Sequence, residues 1–232
     1  MAETPTMTAY QAFEQAYEWL STYVFLDALG HRLPPCLITL QRRRGTYGYF
    51  SRDRFAHRSD GRARTDEIAL NPDLFPHCSD KELLSTLAHE AVHCYQRWHG
   101  TPGRRGYHNR EWALMMEMIG LMPSHTGQPG GRKTGQQMSD YIIPGGAFDE
   151  AITALLATGF SIPWQSGLPG ALQSPGGSAL PLASLRRKTT FTCPQCAQRA
   201  WAKPTAQLLC GVCQLRMHAE TAAPAPQHMC WR

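Results

Sequence analysis

No stretch of the 232-residue chain approaches the roughly 18 consecutive apolar residues of a membrane helix. Met1–Pro5 supplies neither a basic n-region nor an apolar h-region, so secretion is not expected and a cytoplasmic location is, nucleoid-associated if the source is bacterial. There is no internal repeat, which sets solenoids and arrays aside. Charged residues are only 18% of the chain, while hydrophobic residues are 42%, so a packed core is expected rather than global disorder. The eight cysteines do not read as a disulfide framework. Four of them form paired knuckles, and Cys36 and Cys94 sit in apolar surroundings typical of core thiols.

What charge there is lies unevenly. Residues 186–232 hold seven basic residues and one acidic, or +6, against −1 for everything before them. A basic C-terminal module facing a polyanion is expected from this. Arg42-Arg43-Arg44 lies at a strand end and reads as a solvated edge. Gly130-Gly131-Arg132-Lys133-Thr134-Gly135 has the composition of a phosphate loop but lacks its spacing and a preceding strand, so it is set aside.

Hydrophobic periodicity predicts an α+β chain. Thr8–Gln11 has capping-box spacing and opens a helix over 9–29 that Gly30 ends. Cys36–Leu40, Thr46–Phe50 and Glu67–Leu70 read as three strands of an antiparallel sheet. A second capping box, Ser79–Glu82, opens a helix to about Trp98, and a third helix runs from about His108 to Leu121. Residues 123–146 read as a long Gly-rich loop, Phe148–Thr158 as a short helix, 161–188 as a flexible linker, 189–218 as a cysteine module and 219–232 as a tail.

The second helix carries His89-Glu90-Ala91-Val92-His93, an HExxH pattern. Positions i and i+4 share a helix face, so both imidazoles point one way, and Glu90 beside them can take a proton from a metal-bound water. A third ligand is required. On the next helix Trp112, Met115, Met116 and Ile119 form an apolar face that includes His108, which favours His108. Glu111 lies on the flank of that face and ranks second. His99 has the right separation from His89 for HExxHxxGxxH, but Gln96 stands where that pattern needs Gly, so it ranks third. Tyr141 and His125 are candidates to stabilise an oxyanion.

HEAVHCYQRWHG, a short Gly-rich turn and then YHNREW resemble the SprT-like metalloprotease domain, the group that includes the Spartan proteases. His108 and Trp112 match the third His and the aromatic of that family, with Asn109 in place of the usual Gly. Gly48-Tyr49 and Ile68-Ala69-Leu70-Asn71 resemble its upstream strands. The resemblance covers residues 9–122 and 189–217. It implies a zincin-like domain over residues 1–160, a small antiparallel sheet packed on helices that include the HExxH helix, followed by a zinc ribbon. It further implies that His89, His93 and His108 bind zinc and that Glu90 is the general base for peptide hydrolysis.

Cys193-Pro-Gln-Cys196 and Cys210-Gly-Val-Cys213, 13 residues apart, each offer two thiolates to one tetrahedral ion. So small a unit needs the metal to fold, giving two zinc ions per chain in all. The module resembles the C-terminal zinc ribbon of bacterial SprT-like proteins. Arg186, Arg187, Lys188, Arg199, Lys203 and Arg216 surround it, with Phe191 and Trp201 as stacking faces, a mixture suited to single-stranded or irregular nucleic acid. The expected activity is zinc-dependent cleavage of proteins, DNA-bound or DNA-crosslinked ones by resemblance. The rival expectation is a nucleic-acid-associated regulatory protein whose HExxH site is structural or vestigial.

Overall fold

The computed structural model describes residues 4–43, 45–167, 189–202 and 206–219. They fall into two compact units, one whose described residues run on to 167, inside the predicted linker, where Ser166 donates to Asp73 at 2.6 Å, and one built around the cysteine knuckles. Among the described residues no helix is long and apolar enough to cross a membrane.

The first unit begins with α1 (Pro5–Leu20), which runs through a π turn at Ser21–Phe25 into α2 (Leu26–Leu29). The helix starts earlier than the Thr8 spacing implies. Thr4 is the cap, its hydroxyl accepting from the Met7 N–H at 3.4 Å, and Pro5 occupies the first turn, where its missing N–H costs nothing. Gly30 at φ 84 ends the run. Phe13, Ala16, Tyr17, Leu20, Val24 and Phe25 form its buried face.

Strands β1 (Cys36–Leu40), β2 (Gly48–Ala56) and β3 (Arg64–Leu70) form a sheet of order β1-β3-β2. β2 pairs with β3 antiparallel, as expected, but β1 pairs with β3 in parallel, so the sheet is mixed and not antiparallel throughout. The physical reason is burial. β3 ends in the wholly buried run Ile68-Ala69-Leu70 and takes the centre, which puts β1 and β2 on opposite sides of it. A short apolar run carries no record of its direction, so the sequence cannot distinguish the two pairings.

Helix α3 (Asp80–His99) packs on this sheet. Ser79 and Glu82 close the expected capping box, with the Ser79 N–H donating to Glu82 at 2.7 Å. Leu84, Leu87, Ala88, Ala91 and Val92 are fully buried; each large side chain among them stabilises the fold by roughly 1.5–3 kcal/mol. α4 (Arg110–Met118) is shorter than the predicted third helix. Asn109 caps it by accepting from the Trp112 N–H at 2.9 Å, and Gly120 at φ 89 turns the chain out. An alanine Cβ at Gly120 would stand 2.9 Å from the backbone nitrogens of Ala147 and Phe148, so glycine is required there.

The predicted loop over 123–146 is instead organised by a hairpin. β4 (Leu121–Ser124) pairs antiparallel with β5 (Ser139–Ile142). α5 (Ala147–Ala157) follows and buries Phe148, Ile152 and Leu155 in the same core.

The second unit is a three-stranded sheet of order β7-β6-β8, from β6 (Thr189–Thr192), β7 (Arg199–Ala202) and β8 (His218–Ala219). Among the described residues its buried core is Phe191, Cys193, Cys210 and Met217, with Ala200, Ala202, Ala206, Leu208 and Cys213 packed against it. Two of the four buried side chains are thiols, so a bound ion has a large share in holding this unit together.

Candidate metal centres

α3 places His89 and His93 one turn apart on the face toward α4, and the chain two residues ahead of α4, bridged to Gly135, brings His108 to meet them. One ligand atom from each lies within 4.8 Å of the others. Trp112, one turn beyond His108, stands against all three rings, with centroids 4.9 Å from His89, 5.3 Å from His93 and 4.3 Å from His108. It walls the cluster on the core side, and its own indole N–H is buried without a partner among the described residues.

Two of the rings are oriented from behind. His89 Nδ1 lies 2.8 Å from Asp140 Oδ1, and His108 Nδ1 lies 3.1 Å from the Gly135 carbonyl. An acceptor opposite Nδ1 keeps the proton there and leaves Nε2 for a metal. Both acceptors come from the segment that the sequence reads as a loop. Paired backbone hydrogen bonds between His108 and Gly135, at 2.8 and 3.1 Å, fasten that segment to the start of α4. Asp140 is fully buried and its Oδ2 has no partner among the described residues. No spacing rule points to it: it lies 51 residues from His89, and nothing but the tertiary fold joins them.

Burial governs the charge states of the cluster. It holds His93 well below the ordinary imidazole range, helped by His89 and His108 nearby, and takes His108 down to about 4. His89 departs from this. Burial opposes its charge, but the hydrogen bond to Asp140 and the Glu90 and Asp140 carboxylates outweigh it and raise its pKa. Burial raises Glu90 as well, against the pull of His89 and of a hydrogen bond from the Phe50 N–H. A carboxylate with a raised proton affinity is better matched to taking up and returning a proton. Gly48 on β2 makes room for it: an added Cβ would come 3.3 Å from Glu90 Cγ and 2.9 Å from the Ala69 carbonyl.

The other candidate ligands lie elsewhere. Glu111 accepts from Gln96 Nε2 at 2.6 Å and from the Thr101 N–H at 2.7 Å, which ties down the turn between α3 and α4. His99 stacks on His31 with centroids 4.6 Å apart. His125 is exposed and its Nδ1 accepts from the Arg132 N–H at 2.8 Å. Tyr141 follows Asp140 on β5, so it projects to the opposite face from the residue that reaches His89.

In the second unit Cys193, Cys196, Cys210 and Cys213 bring their sulfurs within 4.8 Å of one another. The two knuckles are built alike. The Ala197 N–H donates to the Cys193 carbonyl at 3.0 Å and the Gln214 N–H to the Cys210 carbonyl at 2.8 Å. Ala197 and Gln214 both sit at φ 57, the left-handed turn that closes each knuckle. Backbone N–H groups of Cys196 and Gln195 aimed at the Cys193 sulfur lower its pKa to about 7, as a ligating thiolate needs. Arg199 and Trp201 share the exposed face of β7, with Trp201 62% exposed. Arg186, Arg187, Lys188 and Lys203 lie outside the described residues.

Both donor sets fit a zinc ion: three imidazoles that leave a position open, and four thiols in paired knuckles. The SprT-like family model matches residues 13–132, which span the sheet, the HExxH helix and α4. A Salmonella typhimurium protein described as an uncharacterized protein in the mucB 3′ region is 44% identical over 64 residues, 28% of this chain and 80% of that one. No solved structure matches.

Proposed function

Because the chain belongs to the SprT-like family, we propose that it is a zinc-dependent endopeptidase acting on proteins, with the three-histidine cluster as its catalytic centre. One observation carries this reading: three imidazoles converge beside a buried glutamate that is not one of the converging ligands. Zinc bound there would supply a Lewis acid and lower the pKa of a coordinated water toward about 7. His89, His93 and His108 hold the ion, with Asp140 and the Gly135 carbonyl fixing the rings of His89 and His108. Glu90 takes the proton of the attacking water and returns it to the amide nitrogen that leaves. Trp112 and the walls of the core exclude bulk water from the ligands.

The second unit serves as a structural zinc ribbon. With Arg199 and Trp201 on one open face, it contacts DNA and brings DNA-bound or crosslinked proteins to the catalytic unit. A linked binding module raises the local substrate concentration without touching the catalytic groups. The test is incubation of the full chain with a mixture of DNA-binding proteins, with and without single- and double-stranded DNA, beside Glu90→Gln. Cleavage by the parent and none by the variant supports the reading. Equal cleavage by both, or none by either, rejects it and favours a regulatory protein with a vestigial site.

A further inference from the structure

Between residues 52 and 64 the sequence holds five arginines, no lysine and two aspartates, a net +3 in thirteen residues. Averaged over longer windows it vanishes, because acidic residues on either side cancel it. The fold concentrates it. β1 pairs with β3 only over Asp66–Leu70, so beyond Asp66 the sheet continues as a two-stranded ribbon of β2 and β3 alone. Phe55 pairs with Thr65 and Ala56 with Arg64, and the His57 N–H donates to the Ala63 carbonyl at 2.8 Å near the tip. Residues 52–64 are exposed throughout.

The nearby carboxylates are already engaged. Arg97 binds both Asp53 and Asp66. Asp60 accepts from the Arg62 N–H at 3.1 Å within the tip turn. Glu67 faces Arg54 at 3.7 Å. Arg52, Arg58, Arg62 and Arg64 make no salt bridge among the described residues, so four guanidinium groups stand open to solvent on one protruding ribbon beside the half-exposed ring of Phe55.

We propose that this ribbon is a duplex-DNA-binding element of the catalytic unit itself, separate from the cysteine module. Guanidinium forks match phosphate oxygens bidentately. Two strands about 4.8 Å apart fit a major groove about 12 Å wide, whereas the deep, narrow major groove of duplex RNA excludes them. The ribbon is also continuous with Phe50, whose N–H holds Glu90. About eight residues separate Phe50 from the tip, and the register shift between Ser51 and Phe55 takes up two of them, leaving roughly 20 Å of strand. DNA gripped at the tip therefore lies one small protein's width from the three-histidine cluster. The binding itself stands on charge and shape; its use in presenting substrates rests on the peptidase reading above.

The test uses the full chain in a Glu90→Gln background, so that cleavage plays no part, with fluorescence anisotropy on a labelled 20-base-pair duplex across a salt series. Arg58→Ala/Arg62→Ala/Arg64→Ala should lower the slope of log affinity against log salt by about 2.7, near 0.9 per lost phosphate contact. The corresponding triple Arg→Lys variant should recover most of that slope. Zinc content and circular dichroism should match the parent, which separates lost contacts from lost fold. Benzoylphenylalanine in place of Phe55 should crosslink duplex DNA in preference to duplex RNA or a polyglutamate peptide. An unchanged slope in the alanine variant overturns the proposal. So does crosslinking to duplex RNA, or to polyglutamate, as efficient as to duplex DNA.

Discussion

Asp140 is the residue whose replacement tests the architecture of the three-histidine centre most directly. It is fully buried, its Oδ1 is 2.8 Å from His89 Nδ1, and its Oδ2 has no partner among the described residues. Asp140→Asn keeps the shape and an acceptor oxygen but removes the charge. Asp140→Ala removes the acceptor too, leaving the His89 Nδ1 buried and unsatisfied, at a cost of about 1–3 kcal/mol. Partners behind metal-bound histidines are typically worth about 10- to 100-fold in metal affinity, or roughly 1.4–2.8 kcal/mol. The expected order is therefore about tenfold weaker zinc binding for the asparagine variant and about 100-fold for the alanine variant. The four-cysteine centre, in the other unit, should be unaffected. Competition with a chromophoric chelator resolves the two centres on the full chain. A thermal melt of the metal-free protein supplies the control. Burial raises the Asp140 pKa, so an ionised carboxylate costs stability there. The asparagine variant should melt no lower than the parent even while it binds zinc less well. If Asp140→Ala held zinc at the histidine centre as tightly as the parent, Asp140 would not be orienting His89, and the role given to the β4–β5 hairpin would be wrong.

Four further outcomes are expected. Glu90→Gln should retain two zinc ions by elemental analysis and lose proteolysis by several orders of magnitude; cleavage at the parental rate would mean another base. His108→Ala should lose one zinc ion per chain and His99→Ala neither, and the reverse would move the third ligand to His99. Gly48→Ala pushes a Cβ to 2.9 Å from the Ala69 carbonyl and 3.3 Å from Glu90 Cγ. It should cost about 1–3 kcal/mol, lowering the melting temperature of the first unit by roughly 2–4 °C per kcal/mol, and a melt indistinguishable from the parent would show that β2 can move away freely. Cys193→Ser should abolish protection of amides in residues 189–219 from hydrogen exchange while leaving α3 protected, since so small an apolar cluster cannot replace the ion.

The chemistry of this protein is written locally. His89, Glu90 and His93 follow from helix periodicity, and a capping box that the fold keeps fixes the helix that carries them. The paired Cys-x-x-Cys knuckles are equally local: each is a turn closed by its own backbone hydrogen bonds, and their 13-residue separation lets a hairpin join them. His108 was legible one step further out, from the apolar face predicted for the third helix, although it stands two residues ahead of α4 in a bridge to Gly135. Tertiary structure decided what lies behind those residues. The parallel pairing of β1 with β3, the hairpin within 121–142, Asp140 behind His89 and the Gly135 carbonyl behind His108 depend on contacts between residues tens of positions apart. No periodicity spans such distances, since a single buried aspartate in a Gly-rich segment looks like any other turn residue until the fold delivers it to an imidazole. The arginine ribbon follows the same logic. Its charges are visible residue by residue, but β1 stopping at Asp66 is what leaves them on two strands standing clear of the sheet.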